Sequence, residues 1–204
     1  MREKHIAPDR ESIEAMEPFE RLGLEQIVWV ADSVGAETAW QALHGEHVLG
    51  FDTESKPTFV RHEASEGPHI VQLATATTAY IFALHDPKSL QAAARLLADP
   101  AILKVGFGLG DDRKRIIAKL NIDPQGVVDL NHVFHEQGWR KDMGVKAAVA
   151  VTYQKRFLKS KKAATSNWAA RQLSQAQLIY AANDAWAALR VHQALMGTDN
   201  FTDP

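Results

Sequence analysis

With 204 residues, 46% of them hydrophobic, the chain can bury one sizeable core and is expected to be a single domain. A formal net charge of −2 and a pI near 6.5 exclude a polycationic surface, so any nucleic-acid contact must come from a local basic patch or from bound cations. The lack of cysteine excludes disulfides, zinc ribbons and thiol nucleophiles. With a polar N-terminus and no run of 18 apolar residues, it points to a soluble, cytoplasmic protein without signal peptide or membrane span.

Residues 1–24 are charged and contain Pro8 and Pro18, which reads as an arm or a short helix. Residues 26–32 form a strand, and Asp32 and Ser33 can cap a helix over 36–43. HVLGFDTE, 47–54, is a buried strand, followed by a turn-rich loop at 55–68. Two apolar runs on either side of Thr77 and Thr78 predict a hairpin. A helix over 90–99 is stopped by Pro100. A strand over 101–109 then precedes a helix over 111–120, and GVVDLNHVF, 126–134, is a strand running into a helix. From Met143 onward the chain is helical in character, broken by a basic loop, and the last helix covers 174–196. Strands first, then strands alternating with helices, predict an α/β fold with a mixed sheet flanked by helices. The domain is expected over 25–196, with a tail at 197–204.

Five residues carry the chemistry. On a strand, Asp52 and Glu54 point to one face; on a helix, Tyr180 and Asp184 stack one turn apart. Carboxylates gathered on one face repel each other and are poor core material, but make sense with divalent cations between them. Gly50 lets a backbone or ligand come close to the strand, and acids ending a buried strand sit where ligands collect. Asp112 follows Gly106, Gly108 and Gly110, a glycine turn that also resembles a phosphate-binding loop. The spacing is wrong for a dinucleotide site, and acids at that helix start would repel phosphate. Asp111 is expected to cap the helix, leaving Asp112 free to face the strand ends. Asp129 is a rival for Asp112, although its strand-end position favours capping the next helix. Asp184 in mid-helix needs a reason, the bland one being a solvent-facing Tyr/Asp pair beside an apolar stripe through Leu178, Ala182, Trp186 and Leu189. His132, His135 and Glu136 lack further ligands at zinc-site spacing. Lys155, Arg156, Lys159, Lys161 and Lys162 either contact nucleic-acid phosphates or form an ordinary solvated loop.

Together these segments resemble the DEDD superfamily of 3′–5′ exonucleases, in the branch with tyrosine in its last motif, which includes ribonuclease D and the exonuclease domain of the Werner syndrome helicase. GFDTE, 50–54, resembles the first motif and IVQLAT, 70–75, the strand after it. LKVGFGLGDDRKRI, 103–116, resembles the second motif in a form closer to the Werner-type domain. SNWAARQLSQAQLIYAANDA, 166–185, resembles the third, with Trp168, Leu173, Ser174, Gln177, Tyr180, Ala181 and Asp184 in family positions. After Glu54, where relatives often carry an aromatic residue, this chain has Ser55, Lys56 and Pro57.

The resemblance implies a ribonuclease H-like fold and a site of Asp52, Glu54, Asp112, Tyr180 and Asp184. It implies two Mg²⁺ or Mn²⁺ ions: Asp52 bridging both, Glu54 and Asp184 completing the first, and Asp112 holding the second through water. Tyr180, whose phenol has an ordinary pKa of about 10, would orient the attacking water instead of acting as a base. The implied partner is the 3′ end of single-stranded or frayed DNA or RNA, with release of nucleoside 5′-monophosphates. The rival reading is a catalytically silent nucleic-acid-binding module on the same fold.

Overall fold

The structure, a computed structural model, describes residues 5–58 and 66–198. Half of the loop expected at 55–68 and most of the tail expected at 197–204 therefore lie outside the described residues. Six strands form one sheet in the order β1-β4-β3-β2-β5-β6. They are β1 (Ile27–Val30), β2 (Val48–Glu54), β3 (Ile70–Ala74), β4 (Ala79–Ala83), β5 (Leu103–Gly106) and β6 (Val127–Asp129). β2, β3 and β4 are antiparallel neighbours, whereas β1 on β4, β5 on β2 and β6 on β5 are parallel. The sheet is mixed, as the alternation of elements predicts.

Eight helices among the described residues cover the sheet and its edges. After α1 (Arg10–Glu14) come α2 (Ser33–Leu43), α3 (Pro87–Ala98) and α4 (Gly110–Leu120), then α5 (Leu130–Glu136), α6 (Gly144–Tyr153), α7 (Lys161–Ala164) and α8 (Gln175–Leu195). The apolar faces of α2, α3 and α4 bury Ala39, Leu43, Leu96, Leu97 and Ile116 against Leu49, Phe51, Leu73 and Phe82. On the opposite side α5, α6, α7 and α8 pack with Ile70, Ile81 and Val105. Strand alternation divides β2 between these two layers.

The long helix α8 is the element that places the site. Ser174 caps it by accepting from Gln177 N, and Gln177 Oε1 accepts from Ser174 N at 3.0 Å, a reciprocal capping box. From Tyr180 to Val191 every residue is buried, so burial extends well beyond the apolar stripe expected from the sequence: the helix lies between the sheet and α6 and is enclosed all round. Close approach to the sheet requires Gly50. A Cβ there would stand 2.0 Å from the Ala185 carbonyl oxygen, so any side chain would lift α8 off β2.

The segment before the family-like region also reaches this layer. Phe19 and Leu22 are buried in the α8 core. Leu22 N donates to Asn183 Oδ1 at 2.8 Å, and Asn183 Nδ2 donates back to Leu22 O at 3.2 Å.

Candidate active site

Asp52 and Glu54 lie two residues apart on the face of β2 that meets α8, at the carboxyl end of the strand. α8 brings Asp184 to the same place. One carboxylate oxygen from each of Asp52, Glu54 and Asp184 lies within 4.8 Å of the others, the sole such group of potential metal ligands among the described residues. His132, His135 and Glu136 form no such group; His135 instead bonds Trp139 O through Nδ1 and Asp142 through Nε2.

Asp112 reaches the cluster from the other side of the sheet. It sits in the first turn of α4, which starts just past the carboxyl end of β5, parallel to β2. Its Oδ1 accepts a hydrogen bond of 2.5 Å from Thr53 Oγ1, whose side chain alternates away from Asp52 and Glu54. It is thus beside the trio without belonging to it, though its charge is felt by both Asp52 and Glu54.

The expected cap on α4 is corrected. Asp111 lies inside the helix, exposed, 3.6 Å from Lys114 Nζ, and the N-cap is Leu109 with no side-chain cap bond. Asp129 instead holds the turn that leads into α4: its carboxylate accepts from Gly108 N and Leu109 N at 3.2 and 2.9 Å, the two residues before the helix. It also caps α5 through Asn131 N, as its strand-end position predicts. A through-space partner on the neighbouring strand thus fixes the turn, while α4 itself begins without a side-chain cap.

The electrostatics are those of crowded, desolvated acids. Burial, then the charges of Asp184, Glu54 and Asp112, push Asp52 well above the ordinary carboxyl range. Burial and the charge of Asp184 raise Glu54 to about 8. Asp112 is raised by burial, with the Thr53 hydrogen bond opposing. Asp184 is raised by burial against the pull of Lys159. Burial, then the charge of Asp184, also raises Tyr180, so its phenol stays protonated.

Tyr180 is itself buried, one turn before Asp184, and its ring packs 5.8 Å from that of Trp168, a core residue. The solvent-facing reading of the Tyr/Asp pair is therefore excluded. Gln72, directly opposite Asp52 on β3, is fully buried with neither amide atom hydrogen-bonded, a neighbour that sequence reasoning left without a role. Its only signal is a polar residue in the otherwise apolar run IVQLA.

The basic loop does not act as a unit. Lys159 Nζ lies 2.6 Å from Asp184 Oδ2 and 5.0 Å from the centroid of the Tyr180 ring. Burial alone would lower its pKa, but the ion pair with Asp184 outweighs that and holds it above the usual lysine value. Arg156 turns away, its Nη1 donating to Glu14 O at 2.7 Å. Lys161 and Lys162 lie exposed on α7, and Lys155 is half-buried. Two clefts meet at Lys159 and Asp184. One, of about 440 Å³, runs past Asp52, Phe107, Asn131, Met143 and Val145; the other, of about 290 Å³, runs past Phe19, Arg21, Leu158 and Ile179.

Comparison with known proteins agrees with this geometry. The family model described as 3′-5′ exonuclease matches residues 27–198. A 3′-5′ exonuclease of Arabidopsis thaliana is 28% identical over 152 residues, covering 72% of this chain and 52% of that protein. The chain thus spans about half the length of that curated relative. Among solved structures, the Aedes aegypti Nibbler EXO domain superposes with a TM-score of 0.74 at 22% identity, covering 88% of this chain and 91% of that one. Trypanosoma brucei RNase D in complex with RNA U12 superposes with a TM-score of 0.74 at 21% identity, covering 85% of this chain and 63% of that one. With its ribonuclease H-like sheet and a tyrosine in the last motif, the chain belongs to the 3′–5′ exonuclease family of the DEDD superfamily.

Proposed function

We propose that the chain is a metal-dependent 3′–5′ exonuclease that hydrolyses phosphodiester bonds at the 3′ ends of single-stranded or frayed DNA or RNA, releasing nucleoside 5′-monophosphates. The observation that carries this reading is the convergence of Asp52, Glu54 and Asp184 within 4.8 Å, beside a buried Tyr180. The donors fit a hard divalent cation: all are carboxylate oxygens, and both oxygens of Asp184 are buried, with Lys159 Nζ 2.6 Å from Oδ2 as a positive partner. Asp52, Glu54 and Asp184 would hold one Mg²⁺ or Mn²⁺ ion, and Asp52 with Asp112 a second. Bound there, such ions supply Lewis acidity to the phosphate and make water acidic enough to attack near neutral pH.

The side chains around the acids have complementary work. Tyr180 keeps its proton, so it donates a hydrogen bond that orients the attacking water or a phosphate oxygen and does not serve as the base. The cleft past Phe107, Met143 and Val145 offers apolar surface for the terminal base, next to the acids that face the scissile phosphate. Lys161 and Lys162, exposed on α7, contact backbone phosphates upstream.

The test is direct. Oligomers of DNA and RNA, labelled at either end, are incubated with the protein, with and without Mn²⁺. A ladder shortening from the 3′ end, abolished by EDTA and by Asp52→Ala, is the expected result. Degradation that persists in Asp52→Ala or Asp184→Ala rules the mechanism out, and binding without cleavage in the wild type points to the silent module.

A further inference from the structure

Lys159 reaches the acids from a loop that is held in place. Phe19 N donates to Arg156 O at 2.9 Å, Arg156 N donates to Glu17 O at 2.7 Å, and the Arg156 guanidinium reaches Glu14 O. A short β-bridge pairs Pro18 with Arg156. The backbone three residues before Lys159 is therefore clamped by residues 14–19, and Asn183, next to Asp184, grips Leu22. These clamping residues precede the stretch 27–198 shared with the family model. The Lys159 side chain is 29% exposed and that of Asp184 5%, so their 2.6 Å contact is largely shielded from water. In such a setting an ammonium ion is a strong substitute for another cation.

We propose that Lys159 is a positioning residue that competes with the metal for Asp184, holding that carboxylate in place and leaving it when a divalent ion loads. The inference rests on the metal-dependent reading above. A divalent ion bound by Asp184 would share a carboxylate whose Oδ2 lies 2.6 Å from Lys159 Nζ, and two positive charges on one carboxylate repel at such a distance. Loading therefore drives the ammonium outward, toward the mouth where the two clefts meet. There it is free to meet a substrate phosphate. A lysine that only braced the fold, or only gripped phosphate, would have no reason to oppose metal binding.

Two measurements without nucleic acid test this. In calorimetric titration of the full chain with Mn²⁺, Lys159→Met is expected to bind about tenfold more tightly than the wild type, and Lys159→Arg to stay close to it. An unchanged or weaker affinity in Lys159→Met overturns the proposal. The second measurement uses only wild-type protein, so it does not depend on how a variant folds. Acetylation of Lys159 by acetic anhydride, followed by mass spectrometry, is expected to be about tenfold faster with saturating Mg²⁺ than in EDTA, as the amine leaves its buried partner. An equal rate overturns the proposal. If the wild type binds neither Mn²⁺ nor Mg²⁺, the metal-dependent reading itself falls; if it binds metal and Lys159 does not respond, only the competition falls.

Discussion

On one face of β2, Leu49 and Phe51 are buried in the layer built by α2, α3 and α4, with Thr53 at its end; on the other, Gly50, Asp52 and Glu54 meet α8. These residues alternate along one seven-residue strand, yet their energetics run in opposite directions. Burial of Leu49 and Phe51 removes apolar surface from water and stabilises the fold. Burial of Asp52 and Glu54 beside Asp184 raises the cost of their charges and works against it. One strand therefore carries both the anchoring and the chemistry, and the glycine between them lets the helix come close enough to complete the second face. The cost on the acidic side is tolerated because the other face is closely packed, the usual relation between a functional site and the scaffold that supports it.

Substitutions on the two faces should separate these contributions. Asp52→Asn is expected to lower the exonuclease rate by about 10³-fold or more, while raising the melting temperature measured in EDTA because a charge is removed from the cluster. Rates with Mn²⁺ and calorimetry of the same sample check both halves. A variant that is both inactive and less stable would show that Asp52 supports the fold. Phe51→Ala, one residue earlier on the other face, is expected to cost about 3–5 kcal/mol in urea unfolding, with any residual activity tracking the folded fraction. An active-site defect in a fully folded Phe51→Ala protein would break the division between faces.

A smaller effect follows from titration. Glu54 has a folded pKa of about 8 against an ordinary 4.5, so between those values the native state binds a proton that the unfolded chain has lost. Its contribution is present in full below the ordinary value and is lost as pH rises through about 8. In EDTA the melting temperature should fall by about 10 °C across this window, and saturating Mn²⁺ should flatten the slope because metal binding favours ionised carboxylates. Stability in EDTA that rises with pH over the same range contradicts the crowded-acid picture. The smallest change is remote from both faces. Ser174→Ala removes the cap of α8 and should cost about 1 kcal/mol, with a modest loss of rate as the helix end that leads to Tyr180 frays.

Much of this is legible in the chain itself. The order of strands and helices, the hairpin at Thr77 and Thr78 and the close approach at Gly50 all follow from local pattern, because periodicity and turn chemistry act over a few residues. The spacing of Asp52 with Glu54, and of Tyr180 with Asp184, determines that each pair shares a face, since strand and helix geometry admit no other result. Other features needed contacts across the fold. The hold of Asp129 on the turn before α4, the enclosure of α8 on every side, and the grip of residues 14–19 on the loop before Lys159 all join segments distant in sequence. So does the ion pair between Lys159 and Asp184, whose members stand on different elements. A charge run in sequence cannot say which of its members faces water and which faces a buried acid. That depends on the packing of the whole layer, and it divided five basic residues into one at the candidate site, one tied to the N-terminal segment, two exposed and one half-buried.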